Sequence, residues 1–75
     1  MKEYEVIAKI CNACAGSNRP QTFFEEVELN NTDDYVRMKH GHDFERFTKE
    51  TTAEDQIIYR YDNGSVSYVY EFTEI

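Results

Sequence analysis

The chain has little of what small folds use for stapling or punctuation: two cysteines, one proline, three glycines and no tryptophan among 75 residues. Two cysteines exclude a disulfide scaffold, which needs several bridges to stand in for a core. So little proline and glycine excludes collagen-like chains and the Pro/Gly-rich disordered class. Basic residues are scarce too, 8 against 15 acidic, which leaves a formal net charge of −7. A field of that sign repels nucleic-acid phosphates and anionic lipid headgroups, so direct nucleic-acid or membrane-surface binding is not expected. No apolar run approaches the roughly 20 residues a helix needs to cross a bilayer. The opening "MKEYEVIAKI" carries Glu3 and Glu5 where a secretory signal has a basic segment and then an apolar run. The expectation is a cytoplasmic protein whose thiols stay reduced.

What is present suffices for a core. Six tyrosines and five phenylalanines, within a hydrophobic fraction of 40%, supply the aromatic area that disordered chains lack. The length allows one domain, residues 1–75, of modest stability, because a chain this short buries a smaller share of its surface than a larger one.

Residues 2–10 alternate, with Tyr4, Val6, Ala8 and Ile10 on one side and Glu3, Glu5 and Lys9 on the other, the period of a half-buried strand. The segment "AGSNRPQT" gathers turn-forming residues. "FFEEVEL" then puts Phe23, Val27 and Leu29 on one face and Phe24, Glu26 and Glu28 on the other, a second strand antiparallel to the first. "NNTDD" signals a helix start: Asn31 or Thr32 can cap free N–H groups, and Asp33 and Asp34 suit the positive end of the helix dipole. Val36, His40, Phe44 and Phe47 recur at helical spacing, so the helix is expected to continue past Gly41 to about Thr48. The alternative is a helix ending at His40 and an additional strand over about residues 44–51. "IIYRYDNGSVSYVYEF" reads as a hairpin turning at Asn63-Gly64, a pair that tolerates the positive φ angles of a two-residue type I′ turn. That turn sets Asp62 opposite Ser65, Tyr59 opposite Tyr68 and Ile57 opposite Tyr70, with the tyrosines and Phe72 on the core face. The whole is an α+β fold, β-β-α-β-β: a four-stranded antiparallel sheet with one helix packed on one face.

Chemistry is concentrated in two places. Cys11 and Cys14 form a C-x-x-C followed by Ala15 and Gly16, an arrangement in which a tight turn aims two thiolates at one tetrahedral ion. This is half a zinc site. His40 and His42 are the candidates to complete it, although the usual second pair has about three to five residues between its histidines. Two protomers giving two cysteines each is the other route to four ligands. A redox pair needs its first cysteine on a helix N-terminus, whereas this one ends a strand. The plain expectation is small, half-buried thiols where strand meets loop, with a zinc-binding module using Cys11, Cys14, His40 and His42 as the alternative.

The second place is the acidic run Glu25, Glu26 and Glu28, with Phe24 beside it. Such a run is ordinarily a solvated face; its functional reading is a docking edge for a basic partner, since a large apolar side chain among carboxylates suits a protein interface. His40 and His42 also lie near Asp43 and Glu45, but no serine-histidine-acid arrangement, phosphate-cradling loop or H-E-x-x-H pattern accompanies them. The expected function is non-enzymatic binding of a protein partner without a cofactor. A mimic of nucleic acid that occupies the basic groove of a DNA- or RNA-handling enzyme is a further alternative.

Overall fold

The computed structural model describes residues 1–12, 21–52 and 54–75. In chain order these form strands β1 (Lys2–Asn12) and β2 (Gln21–Leu29), helix α1 (Thr32–His40), a 3-10 turn (Gly41–Arg46), and strands β3 (Thr48–Thr51), β4 (Ile57–Asp62) and β5 (Val66–Glu74). All strand pairs are antiparallel, in the order β2-β1-β5-β4-β3. The two halves of the chain therefore meet at the β1–β5 seam, and α1 lies across one face. None of the described helices is long and apolar enough to cross a membrane.

The covered face follows from the alternation of β1 and the aromatic richness of β4 and β5. Tyr4, Val6 and Ala8 point to it from β1, Tyr59 from β4, and Tyr70 and Phe72 from β5, while Tyr35 and Val36 come down from the helix. Phe72 and Val36 are wholly inaccessible to solvent. Phe72 takes the edges or faces of Tyr4, Tyr35 and Tyr59, with ring centroids 6.3, 5.4 and 5.5 Å away and near-perpendicular planes. Each such pair contributes about 0.5–1.5 kcal/mol beyond area burial.

The phenol hydroxyls are satisfied at the rim of this core. Tyr35 donates to Glu25 at 2.7 Å, Tyr70 shares a 2.6 Å hydrogen bond with His40 Nε2, and Tyr59 bonds both Thr32 Oγ1 and the Asp33 carboxylate. Among the described residues no buried side-chain polar atom lacks a partner, which is what a polar-rimmed aromatic core requires.

Helix α1 starts where the sequence signals it. Asn31 is the N-cap, its Oδ1 accepting from the Asp33 N–H at 2.8 Å, and basic Arg37, Lys39 and His40 fill the last turn. It does not continue to Thr48. Gly41 adopts φ 58°, ψ −118°, outside the helical region, and its N–H closes back on the Arg37 carbonyl. The chain then tightens into the 3-10 turn. Three residues per turn keep Phe44 and Phe47 on one side, so the spacing that suggested a continued α-helix serves the tighter turn equally well.

After the turn the chain forms β3, so the sheet has five strands rather than four. Its sequence, "TKET", is exposed at every position and carries no apolar alternation to announce a strand.

The β4–β5 hairpin is where it was expected, but its register differs by two residues. Asp62 lies opposite Ser67, Tyr61 opposite Tyr68, Tyr59 opposite Tyr70 and Ile57 opposite Phe72. Gly64 has a positive φ of 89° and Asn63 does not, so the turn is not type I′. Instead Asn63 Oδ1 accepts from the N–H groups of Ser65 and Val66, and Asp62 Oδ1 from Gly64, which ties down a wider loop. A shift of two preserves the facing of every side chain, and the tyrosines still point to the core.

Candidate functional site

The helix covers one face of the sheet, and the alternation of each strand assigns the rest to the other. On this open face the register aligns Phe24 of β2 with Ile7 of β1, Glu71 of β5, Ile58 of β4 and Glu50 of β3. The next row carries Lys9, Val69 and Arg60. Ile58 is buried, Ile7 and Val69 are partly so, and Phe24 is 60% exposed at the end of the row. An apolar strip thus runs across the sheet and rises to a projecting phenylalanine at the β2 edge.

Charge divides this face unevenly. Glu71 is held by Lys9 at 2.8 Å and Glu50 by Arg60 at 3.4 Å. Towards the other end, Glu5 lies directly opposite Glu26 and Glu3 directly opposite Glu28. Among the described residues no ion pair joins any of these four carboxylates to a cation. Like charges facing each other across a strand pair destabilise it by roughly 0.2–1 kcal/mol each, so this corner works against the fold. Glu3, Glu26 and Glu28 also border a shallow groove closed on one side by Ile75, whose N–H donates to the Glu3 carbonyl at 2.9 Å.

Three of the four residues expected to bind a partner, Phe24, Glu26 and Glu28, therefore share one surface. Glu25 does not. It points to the helix side and accepts the Tyr35 hydroxyl, and burial together with that carboxylate raises the proton affinity of the phenol. Glu3 and Glu5 complete the acidic corner. Their alternation was visible, but their place beside Glu26 and Glu28 depends on the β1–β2 register, which no sequence motif between the two strands specifies.

The candidate metal ligands that the structure describes, Cys11, His40 and His42, are dispersed. Cys11 is half-buried near the end of β1, opposite Ser67 and therefore on the open face; Cys14 lies outside the described residues. His40 is on the other side of the sheet, packed against Phe47, Tyr68 and Tyr70 at ring distances of 4.8, 4.6 and 5.4 Å. Burial lowers its pKa, with Lys39 adding to the effect and Asp43 opposing it, so the imidazole is held neutral as a partner for the Tyr70 hydroxyl. His42 sits in an open hollow with Arg37, Phe44 and Glu45. No three His, Cys, Asp or Glu side chains converge as a metal site among the described residues.

A second polar cluster ties the helix to the sheet. Asp33, at the first turn of α1, accepts from the Tyr59 hydroxyl and from Lys49 of β3 at 3.2 Å. Burial pulls its carboxyl upward, but these two hydrogen bonds and the charges of Lys49 and Arg37 outweigh it and leave the pKa below the ordinary value. All of these groups are engaged with one another, and the cluster anchors the helix N-terminus.

Compared with protein-family models, with curated proteins and with solved structures, the chain matches none.

Proposed function

We propose that this is a non-enzymatic binding protein that docks a positively charged protein partner on the open face of its sheet, at the corner formed by Phe24, Glu26, Glu28, Glu3 and Glu5. The observation that carries the reading is the uneven neutralisation of that face. Where Glu71 and Glu50 stand, lysine and arginine stand beside them; at the β1–β2 corner four carboxylates face one another with no cation paired to them among the described residues and next to an exposed phenylalanine. An arrangement that costs stability and projects an aromatic ring is what a basic partner with an apolar contact would complement.

The test is affinity capture with the native protein and with a variant carrying Glu3→Gln, Glu5→Gln, Glu26→Gln and Glu28→Gln. A partner captured by the native chain is purified and its affinity measured directly. The reading expects a basic protein whose binding weakens steeply with salt and is lost in the variant. Equal binding by the variant contradicts it. A basic nucleic-acid-handling protein belongs to the class this surface fits, and mimicry of nucleic acid adds one requirement: DNA or RNA must compete for the captured partner.

A further inference from the structure

We propose, resting on the reading that the acidic corner docks a basic protein, that the partner enters as an added strand: an extended basic and apolar segment pairs antiparallel with the edge of β2 that no other described strand pairs. The sheet has two edges, and they are guarded differently. β3 is four residues long and carries Lys49, two common devices for blunting an edge. β2 is nine residues long, with no proline, glycine or lysine. Its pairing with β1 runs unbroken from Leu29 opposite Lys2 to Gln21 opposite Ile10, so no bulge twists it away. Phe23 and Phe24, 53% and 60% exposed, project from its two faces. In an antiparallel edge strand alternate residues turn their N–H and C=O groups outward, and a strand of this length offers several such pairs to an incoming chain.

Charge selects the occupant. A second copy pairing antiparallel about the middle of β2 sets Glu25 against Glu25, Glu26 against Glu26, or one against the other, and like charges in opposed positions disfavour that dimer. The same carboxylates favour a basic strand. Continuing the antiparallel pattern, the incoming segment carries basic residues opposite Glu28, Glu26 and Glu25 and apolar residues opposite Val27, Phe24 and Phe23. Those opposite Glu26 and Glu28 emerge on the open face, within the field of Glu3 and Glu5.

The probe is the capped peptide Thr-Lys-Val-Arg-Lys-Ile-Val-Thr, designed to that register. Its affinity for the full chain is compared with that of the same peptide N-methylated at every internal amide, which keeps the charge and removes pairing from either edge. Amide hydrogen exchange of the isotope-labelled protein is followed in parallel. The proposal expects about tenfold or greater weakening on methylation and new protection at alternate β2 amides. It also expects the Glu26→Lys, Glu28→Lys variant to prefer the peptide with glutamates in place of its basic residues. Equal binding of the methylated peptide overturns strand addition but leaves the docking face standing. Absence of any peptide binding at millimolar concentration, or a concentration-dependent dimer joined through β2, also overturns strand addition, while the docking face is judged separately by partner capture.

Discussion

The two faces of one sheet show how differently the same strands can be used. Under the helix, Tyr4, Val6, Tyr59, Tyr70 and Phe72 are buried against Tyr35 and Val36, and each buried hydroxyl has a partner. On the reverse, the same β1 presents Glu3 and Glu5 to Glu26 and Glu28, and β2 presents Phe24 to solvent. The helix side holds the interior, with Phe23 at its β2 edge left 53% exposed. The open side opposes like charges around Phe24, and proteins concentrate such violations where surfaces do other work. The contrast teaches where stability and binding reside in a chain too short to separate them into domains.

Six perturbations break or sharpen that contrast. The largest is Phe72→Ala, which removes the ring at the centre of the aromatic cluster and should lower unfolding free energy by about 3–5 kcal/mol, enough to unfold a small domain. Phe24→Ala should stay within about 0.5 kcal/mol of the native protein while weakening partner binding. Denaturant titration of both variants makes the comparison, and similar losses would erase the distinction between the faces.

Alkaline pH acts next. Burial raises the pKa values of Tyr35, Tyr59 and Tyr70 above the ordinary 10.0, reinforced by Glu25 at Tyr35 and by Asp33 at Tyr59. A group whose folded pKa is raised contributes stability that is fully present below its unfolded pKa and is lost as pH rises through the folded value. The melting temperature should therefore fall steeply above about pH 10, with phenolate absorbance appearing together with unfolding. Tyr59→Phe should flatten part of that slope. A melting temperature unchanged through this range would mean that the three phenols are not held in the folded core.

Gly41→Ala is an intermediate case. Nothing lies within 4 Å of an added Cβ, yet φ 58° with ψ −118° is strained for any side chain. A loss of about 1–3 kcal/mol is expected by thermal melting, since the junction between helix and 3-10 turn rests on that conformation. A further small effect has the opposite sign. Glu5→Gln relieves opposition to Glu26 and should raise stability by roughly 0.2–1 kcal/mol at low salt, with the gain shrinking as salt is added. A loss of stability would show that the carboxylate supports the fold rather than the surface.

Much of this was legible in the residues. β1 was visible because its covered face needs Tyr4, Val6 and Ala8 at alternate positions, and the helix start because Asn31, Asp33 and Asp34 answer the backbone and dipole requirements of an N-terminus. The fifth strand entered only as the alternative, a helix ending at His40 followed by a strand over about residues 44–51, because an exposed edge such as "TKET" buries nothing and so has no apolar period to display. The helix end was ambiguous because Phe44 and Phe47 satisfy both α and 3-10 periodicity, and only the backbone angle of Gly41 decides between them. The hairpin slipped by two because Asn63 uses its side chain to cap a wider loop, a choice that leaves the facing pattern unchanged. Phe24, Glu26 and Glu28 were read as a group from strand alternation alone. Their union with Glu3 and Glu5 is a matter of register between two strands, which local sequence does not encode.

The division between the faces is tested most directly by measuring where a cation collects on the folded protein. Paramagnetic broadening of backbone amides by a small cationic nitroxide, relative to a neutral one of the same shape, should be greatest in β1 and β2 around Glu3, Glu5, Glu26 and Glu28 and weak over α1. Enhancement spread evenly over both faces, or centred on the helix, would contradict the account.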